Sequence, residues 1–503
     1  MGCLKIKIEN MALLTKSKYL AGLQCSKLLW MLVKAKDKIP APAEDAQFRM
    51  DAGTEVGILA KQLFPEGIDM PTNDFMRNIY LTKDSLLENV PLFEAGIMAN
   101  NCYSRIDVLK PNDDRSFDII EVKSGTKVKG ENVHDVSFQK RCCEMAGLKI
   151  AKCHLCFINN QYVRKGDINV GELFSIQDIT MEVAEAQQGI RERIKEMSDV
   201  VKLSSCPSVL IGRHCDSPYT CNLKAECWEF LPENNVFTLC GGGKKSTELF
   251  NNGVHSIMDI PDGFGLTDKQ EIQKKCEKTG ECHIESSGIK QFLDTLNYPL
   301  YYLDFETFNP AVPEYDNSRP YQKIPFQYSL HIQQKDNKTE HFEFLAEGSE
   351  DPRPALLKNL KEVLGAQGSI VVYNQSFEKS VLEELARDFP EYQDWVNEML
   401  PRVVDLLIPF RSFSYYNPSQ QGSASIKKVL PAITEKSYEE MEIATGEDAS
   451  MQFFQSHIQN KSNNKEEIRK NLLKYCCLDT EGMVLIVSAL KKLVMDPQRQ
   501  FIF

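Results

Sequence analysis

Two pairs of residues, each set two apart in an apolar run, carry chemistry that a purely structural strand does not need. In FDIIEVK, Glu121 and Lys123 leave the same face of an extended chain. The preceding run, SRIDVL, sets Asp107 between Ile106 and Val108, and the linking KPNDDRS is rich in turn formers. Antiparallel pairing of the two runs brings Asp107 beside Glu121 and Lys123. Two carboxylates then form a hard oxygen site for Mg2+ or Mn2+, and the lysine can orient water or stabilise a developing phosphorane. The alternative is a surface hairpin with three solvated charges.

The second pair is Asp304 and Glu306 in PLYYLDFET, again on one face of a strand. Far along the chain, LLKYCCLDTEGM sets Tyr475 and Asp479 four apart, on one helical face. Carboxylates of this kind, if brought together, can hold divalent metal ions, which suit phosphodiester hydrolysis. Hydrolysis of a phosphodiester then depends on placing water in line and neutralising charge on the phosphate. Lys427 and Lys428 in SASIKKVLPAI could grip a phosphate backbone or simply open a solvated helix.

Sixteen cysteines is a high number for one chain. Cys142, Cys143, Cys153, Cys156, Cys476 and Cys477 sit in hydrophobic patterns and read as small buried apolar residues. HCDSPYTCNLKAECW differs, spacing Cys215, Cys221 and Cys227 evenly, with Cys25 far upstream in LAGLQCSKLLW. These four thiols could be unligated or could hold a metal, including Zn2+ with His214 or Cys206 taking part.

The elements that must position these groups follow from patterning. A chain of 503 residues exceeds one ordinary core. Residues 11–232 begin helical, pass through β-type runs (LFEAGIMA, SRIDVL, FDIIEVK, KCHLCFI) and return to helix in ITMEVAEAQQGIRERIKEM. Residues 233–292 read as short helices broken by Gly and Pro. There, CGGGKK has the cadence of a helix-hairpin-helix element whose Gly-rich turn and Lys244 and Lys245 would meet phosphate; a compact linker is the other reading. Residues 293–503 return to α/β, with strands PLYYLDFET, FQYSLHIQQ, HFEFLAE and GSIVVYN before long helices. There is no internal repeat.

Composition sets bounds. The chain is 42% hydrophobic and 26% charged, as soluble domains are, and no apolar run approaches the length of a membrane span. MGCLKIKIEN lacks the apolar centre of a signal peptide, and Ile6 stands where a myristoylation signal has Ser or Thr. Residues 1–10 read as an extension ahead of Met11, and the expected location is cytoplasmic, where cysteines stay reduced. The net charge of −12 does not exclude a nucleic-acid partner: binding depends on local patches, and residues 1–40 hold eight Lys against one Glu and one Asp, an excess of +6.

With these residues in view, the first part, over roughly residues 11–230, resembles the PD-(D/E)XK nucleases of the RecB type, including CRISPR-associated exonucleases that carry an iron–sulfur cluster. The resemblance implies a restriction-endonuclease-like fold in which Asp107 and Glu121 bind metal and Lys123 is the catalytic lysine. Glu55, in GTEVG, would be the helical carboxylate, and Gln139 the glutamine of the Q-x-x-x-Y helix, with Cys143 in place of its tyrosine. It further implies a [4Fe–4S] cluster on Cys25, Cys215, Cys221 and Cys227. The last part resembles DEDD-type exonucleases with an RNase H-like fold. Asp304 and Glu306 match the opening motif, and Glu378, in GSIVVYNQSFEKS, stands where that family has Asp; the resemblance implies that Asp304, Glu306 and Asp479, helped by Glu378, hold two Mg2+ ions around a scissile phosphate. Asp405 in RVVDLLIPF falls on the next short strand, and Tyr475 and Asp479 match the Y-x-x-x-D variant, whose tyrosine positions the attacking water. The fusion as a whole resembles bacterial and archaeal predicted nucleases.

The expected function is hydrolysis of DNA phosphodiesters by an Mg2+- or Mn2+-dependent exonuclease, in repair, recombination or defence. Single-stranded DNA or duplex ends would be the partner, with no membrane. RNA as substrate is the enzymatic alternative, and a degenerate nucleic-acid-binding scaffold the non-enzymatic one.

Overall fold

A computed structural model describes residues 13–42, 44–462 and 464–495; the extension read from residues 1–10 lies outside them. The fold is α/β with mixed sheets, and the chain divides into two compact units. One runs to Glu229 and takes in Pro310–Tyr321; the other comprises Phe230–Asn309 and the chain from Gln322 onward. Residues 233–292 therefore fall within the second unit.

The first unit is built on a seven-stranded sheet. Its strands are β1 (Leu14–Thr15), β2 (Ile68–Asp69), β3 (Leu92–Ala99), β4 (Cys102–Pro111), β5 (Phe117–Lys123), β6 (Ile150–Ile158) and β7 (Phe174–Asp178). They lie in the order β2-β3-β4-β5-β6-β7, with β1 beside β4. β3, β4 and β5 form an antiparallel meander. β6 runs parallel to β5, which demands a crossover. Its helices include α1 (Lys16–Gln24), α2 (Ser26–Lys34), α3 (Glu44–Lys61) and α4 (Gly130–Met145), and α4 supplies that crossover. Thr15 caps α1 by accepting from the Lys18 amide, which fixes the start of the helix and with it Lys16.

Ile106, Leu109, Ile119, Val136, Phe138 and Leu155 meet in the core, where Cys142, Cys143 and Cys153 are buried as expected. Cys156 is buried in a second cluster, beside Val108 and Ile120. The segment read as one helix through ITMEVAEAQQGIRERIKEM is two, α5 (Thr180–Ala186) and α6 (Ile190–Val200). Gly189, at φ 72°, breaks it in the left-handed conformation that glycine adopts without a Cβ clash. Pro310–Tyr321 is fastened to this unit by Arg164, which donates to the carbonyls of Pro313 at 2.8 Å and Glu314 at 2.7 Å.

The second unit contains β8 (His283–Ile284), β9 (Leu300–Phe308), β10 (Ile324–Gln333), β11 (Thr339–Leu345), β12 (Ser369–Val372), β13 (Val403–Asp405) and β14 (Tyr415–Tyr416). Five strands make a sheet in the order β11-β10-β9-β12-β13, and β8 pairs with β14. β10 is antiparallel to β9 and β11, whereas β12 and β13 run parallel to β9. β10 is buried at every position. Helices α7 (Gln375–Asp388), α8 (Ile426–Ile433) and the 31-residue α9 (Lys465–Met495) bear on the site. α9 lays Leu472, Tyr475, Cys476, Asp479, Met483 and Ile486 inward, a three-to-four-residue spacing that keeps one stripe against β9 and β10. Among the described residues no helix is long and apolar enough to cross a membrane.

Candidate functional site

In the first unit the β4–β5 hairpin forms as the turn chemistry implies, pairing Val108 with Ile120. One residue beyond that rung, Asp107 turns its Oδ2 onto the Val122 amide at 2.8 Å. Glu121 Oε1 accepts from Lys123 Nζ at 2.5 Å and from Lys16 Nζ at 2.8 Å, and its Oε2 accepts from Gln139 Nε2 at 2.5 Å. Asp135 completes the cluster, accepting from Lys123 at 2.7 Å and Gln139 at 3.0 Å. Asp107, Glu121, Lys123 and Gln139 thus come together as the sequence implied. Lys16 and Asp135 were missed. Asp135 stands four residues before Gln139 and so on the same helical face, a signal available in the sequence; Lys16 comes from too far away in sequence to be read.

Three carboxylates face two ammonium groups, so the cluster is net negative only when all three acids are ionised. Burial acts first on Asp107, and with the Glu121 charge it lifts the pKa to about 7 despite both lysines. Burial would raise Glu121 too, but the charges and hydrogen bonds of Lys123 and Lys16 outweigh it and hold the group below the usual carboxylate range. Gln139 Oε1 is buried without a hydrogen-bond partner. Such a donor set, carboxylates and an amide oxygen, suits a hard dication. Glu55 is exposed on α3 and takes no part in the hydrogen bonds that tie the cluster; its charge acts on Glu314.

In the second unit four acidic side chains from three elements converge. β9 presents Asp304 and Glu306, α7 presents Glu378 and α9 presents Asp479. Glu306 and Asp479 are each 6% exposed. Burial raises the pKa of Asp304 well above its ordinary value, and the charges of Asp479, Glu306 and Glu378 add to it; Glu306 responds likewise. Asp479 is raised by burial to about 6, and Glu378 to about 8. Glu378 Oε2 is buried with no hydrogen-bond partner. Like charges packed this way cannot all ionise without a cation among them, so the residues fit a divalent ion. Asp304, Glu306 and Cys476 have ligand atoms within 4.8 Å of one another.

Tyr475 stands close enough to Asp479, one turn along the same helix, to favour its ionised form, and Lys427 lies 5.6 Å from the Tyr475 ring centre, where its charge favours the ionised forms of Glu306 and Asp479. Lys427 also donates to the Ala444 carbonyl. Tyr438, unread in the sequence, donates to Asp479 Oδ1 at 2.6 Å. Asp405 is turned instead to the backbone, accepting from the amides of Asn374 and Leu407 at 3.0 Å. It thereby fixes the turn from β12 into α7 that carries Glu378. Lys428 reaches Gln421 at 2.7 Å. Lys244 is exposed at a helix start, and Lys245 is turned onto the Gly265 carbonyl and Gln270.

Cys25, Cys215, Cys221 and Cys227 line a single cavity together with Lys27, His214 and Leu223. Cys25 sits at the junction of α1 and α2, and the Cys221 amide donates to the Cys215 carbonyl at 2.8 Å, curling the late cysteines towards it. Cys476 and Cys477, read as apolar filler, behave differently. Cys476 Sγ lies 3.6 Å from Asp304 Oδ2, and Cys477 is half-buried beside two histidines.

The class that emerges is an α/β protein whose two mixed sheets each carry an acidic cluster. Residues 301–425 match the family model of a domain of unknown function, DUF2779. The match takes in Asp304, Glu306, Glu378 and Asp405 and stops short of Tyr475 and Asp479. Among curated proteins, the chain is similar to uncharacterized protein MG366 homolog of Mycoplasma pneumoniae, at 28% identity over 39% of this chain and 32% of the relative. It is also similar to uncharacterized protein MG366 of Mycoplasma genitalium, at 27% over 50% and 39%, and to uncharacterized protein UU173 of Ureaplasma parvum, at 26% over 43% and 34%. The matched stretch thus spans well under half the length of each of these relatives.

Proposed function

We propose that this chain is a nuclease that hydrolyses DNA phosphodiesters as an exonuclease, using Mg2+ or Mn2+ at two separate centres. The observation that carries the reading is the burial of Asp304, Glu306, Glu378 and Asp479 against one another, an arrangement that costs stability and gains a rationale from bound dications. The sheet order β11-β10-β9-β12-β13, with its antiparallel first three strands and parallel last two, supports an RNase H-like DEDD exonuclease domain. The β3–β4–β5 meander followed by parallel β6 supports a PD-(D/E)XK domain.

In the second unit Asp304, Glu306, Glu378 and Asp479 would hold the ions, which when bound neutralise phosphate charge and lower the pKa of water. Tyr475 is held beside Asp479 and can orient the attacking water through its hydroxyl, while Lys427 supplies positive charge at the same face. In the first unit Asp107 and Glu121 would hold the ion. Lys123 is kept protonated by Glu121 and Asp135 and can offer that charge to a phosphate oxygen. Gln139 keeps Glu121 in place. The cysteine cavity supports a [4Fe–4S] cluster on Cys25, Cys215, Cys221 and Cys227, tying the start of the unit to its end. Pathways of repair, recombination or defence all present such DNA ends.

The test is to incubate the protein with labelled single-stranded DNA, duplex DNA and RNA, with Mn2+ or EDTA, beside Lys123→Ala and Asp479→Ala. EDTA-sensitive DNA degradation, with each variant losing a different part of it, is expected. Cleavage of RNA alone would move the substrate to RNA, and products unchanged in both variants would leave a nucleic-acid-binding scaffold.

A further inference from the structure

α9 carries a second set of metal donors, on a face other than that of Asp479. His331 on β10 and His341 on β11 are directly opposed across the antiparallel ladder. Their rings stack with centroids 4.4 Å apart. Cys477 reaches the same point from α9, and ligand atoms of all three lie within 4.8 Å of one another. None of the three belongs to the acidic cluster, and two imidazoles with a thiol form a borderline-to-soft donor set rather than a magnesium set.

The surrounding hydrogen bonds fix which ring atoms are available. Thr480 Oγ1 lies 2.8 Å from His331 Nδ1, and Ser329 Oγ lies 2.9 Å from His341 Nε2. The two hydroxyls are themselves linked at 2.7 Å. In this arrangement one nitrogen of each imidazole is engaged and His331 Nε2 and His341 Nδ1 are free; for the buried His331, the Thr480 bond is of the kind that outer partners make to histidines that ligate metals. Glu343 and Glu481 add negative charge that acts on both His341 and Cys477. The place is accessible: His341 is exposed and Cys477 half-buried.

We infer that His331, His341 and Cys477 bind a zinc ion that staples the edge strand β11 and its neighbour β10 to α9. A tetrahedral zinc has ligands at about 2.0–2.3 Å, so the exposed His341 ring must turn out of its stack and give up the Ser329 contact to join His331 and Cys477, with water as the fourth ligand. Thiolate ligation releases the Cys477 proton to solvent, and no redox step is involved. Because α9 also carries Tyr475 and Asp479, the ion would hold the helix that positions them. The inference does not depend on the substrate, nor on whether the acidic cluster is catalytic.

The experiment uses the full chain, stripped of metal by chelation and then titrated with Zn2+ alone. Zinc per chain is counted, and iodoacetamide labelling of Cys477 is followed by peptide mass spectrometry. We expect Zn2+ to slow alkylation of Cys477 at least ten-fold. His341→Ala should bind one zinc fewer per chain and lose that protection, and His341→Cys should regain both. His341 is exposed, so these variants should fold; equal thermal melts of the stripped proteins check it. Alkylation of Cys477 at the same rate with and without zinc, or equal zinc uptake by wild type and His341→Ala, would overturn the site.

Discussion

Tyr438 donates its phenolic hydrogen to Asp479 Oδ1 at 2.6 Å, inside a pocket where the other near neighbours of Asp479 include carboxylates. The bond favours the ionised form of Asp479. It also holds one oxygen in a fixed direction, and the Tyr438 ring lies 6.2 Å from that of Tyr475. Tyr438→Phe keeps the ring packing and removes only the hydroxyl. A hydrogen bond to a charged group contributes about 1.5–3 kcal/mol, so activity of the second centre should fall about 10- to 100-fold, with a raised Mn2+ requirement. A Tyr438→Phe enzyme with wild-type metal titration and rate would remove Tyr438 from the site.

Asp304 offers a test in the opposite direction. Its carboxylate is raised far from its ordinary pKa by burial and by Asp479, Glu306 and Glu378, so in EDTA its charge works against folding. Asp304→Asn relieves that repulsion. Its unfolding free energy in EDTA should rise by about 1–2 kcal/mol, while the extra stabilisation by Mn2+ and the DNA cleavage of that centre disappear. Denaturant titrations with and without metal decide this; a destabilised Asp304→Asn in EDTA would mean that the carboxylate has a structural partner.

Lys123 is a mirror case. It bridges Glu121 and Asp135 at 2.5 and 2.7 Å, and both carboxylates are almost fully buried. Removing one partner of a buried ion pair costs about 3–5 kcal/mol, lessened here because Lys16 still reaches Glu121 at 2.8 Å. Lys123→Ala should therefore lose about 2–3 kcal/mol of stability in EDTA and recover part of it in Mn2+. Stability equal to wild type in EDTA would show that Lys16 alone suffices.

These contrasts show what the sequence disclosed. FDIIEVK and LFEAGIMA predict β5 and β3 to the residue, because alternation and β-branched runs are local signals. Asp107, Glu121 and Lys123, and Asp304 with Asp479, were legible because short strands and a helix present them at periods of two and four. Lys16 and Tyr438 were not: Lys16 opens a helix 105 residues away from Glu121, and Tyr438 sits in irregular chain with no periodicity of its own. Glu55 illustrates the converse: a motif match set it in the cluster, yet its stretch of α3 turns it to solvent. Cys477 looked like apolar filler because its histidine neighbours are far away in sequence and close only in the sheet.

His457 sets a pH dependence apart from either acidic cluster. Burial, with the nearby charges of Arg469 and Lys465, depresses its pKa to about 4, against about 6.5 in an unfolded chain. The unfolded state therefore binds more protons between those values, and stability falls as pH drops from about 6.5 to 4. The loss attributable to this group is about 2–3 kcal/mol. His457→Gln should flatten the stability–pH curve across that window relative to wild type; an unchanged slope would show that His457 does not supply it.

The cysteine cavity is tested by colour and by stability together. Cys25 lies on the helix junction near the start of the described chain, whereas Cys215, Cys221 and Cys227 follow α6. A cluster joining them closes most of the first unit into one loop, and closing a long loop removes entropy from the unfolded chain. Protein purified without oxygen should be brown, with a broad visible band and close to four irons per chain. Cys25→Ser should bleach it and lower the melting temperature of the first unit, leaving second-centre activity in place. A single zinc would instead need its sulfurs drawn to about 2.3 Å from one ion, giving colourless protein with stoichiometric zinc. The four cysteines line one cavity, and colourless zinc protein would overturn the proposed iron–sulfur cluster.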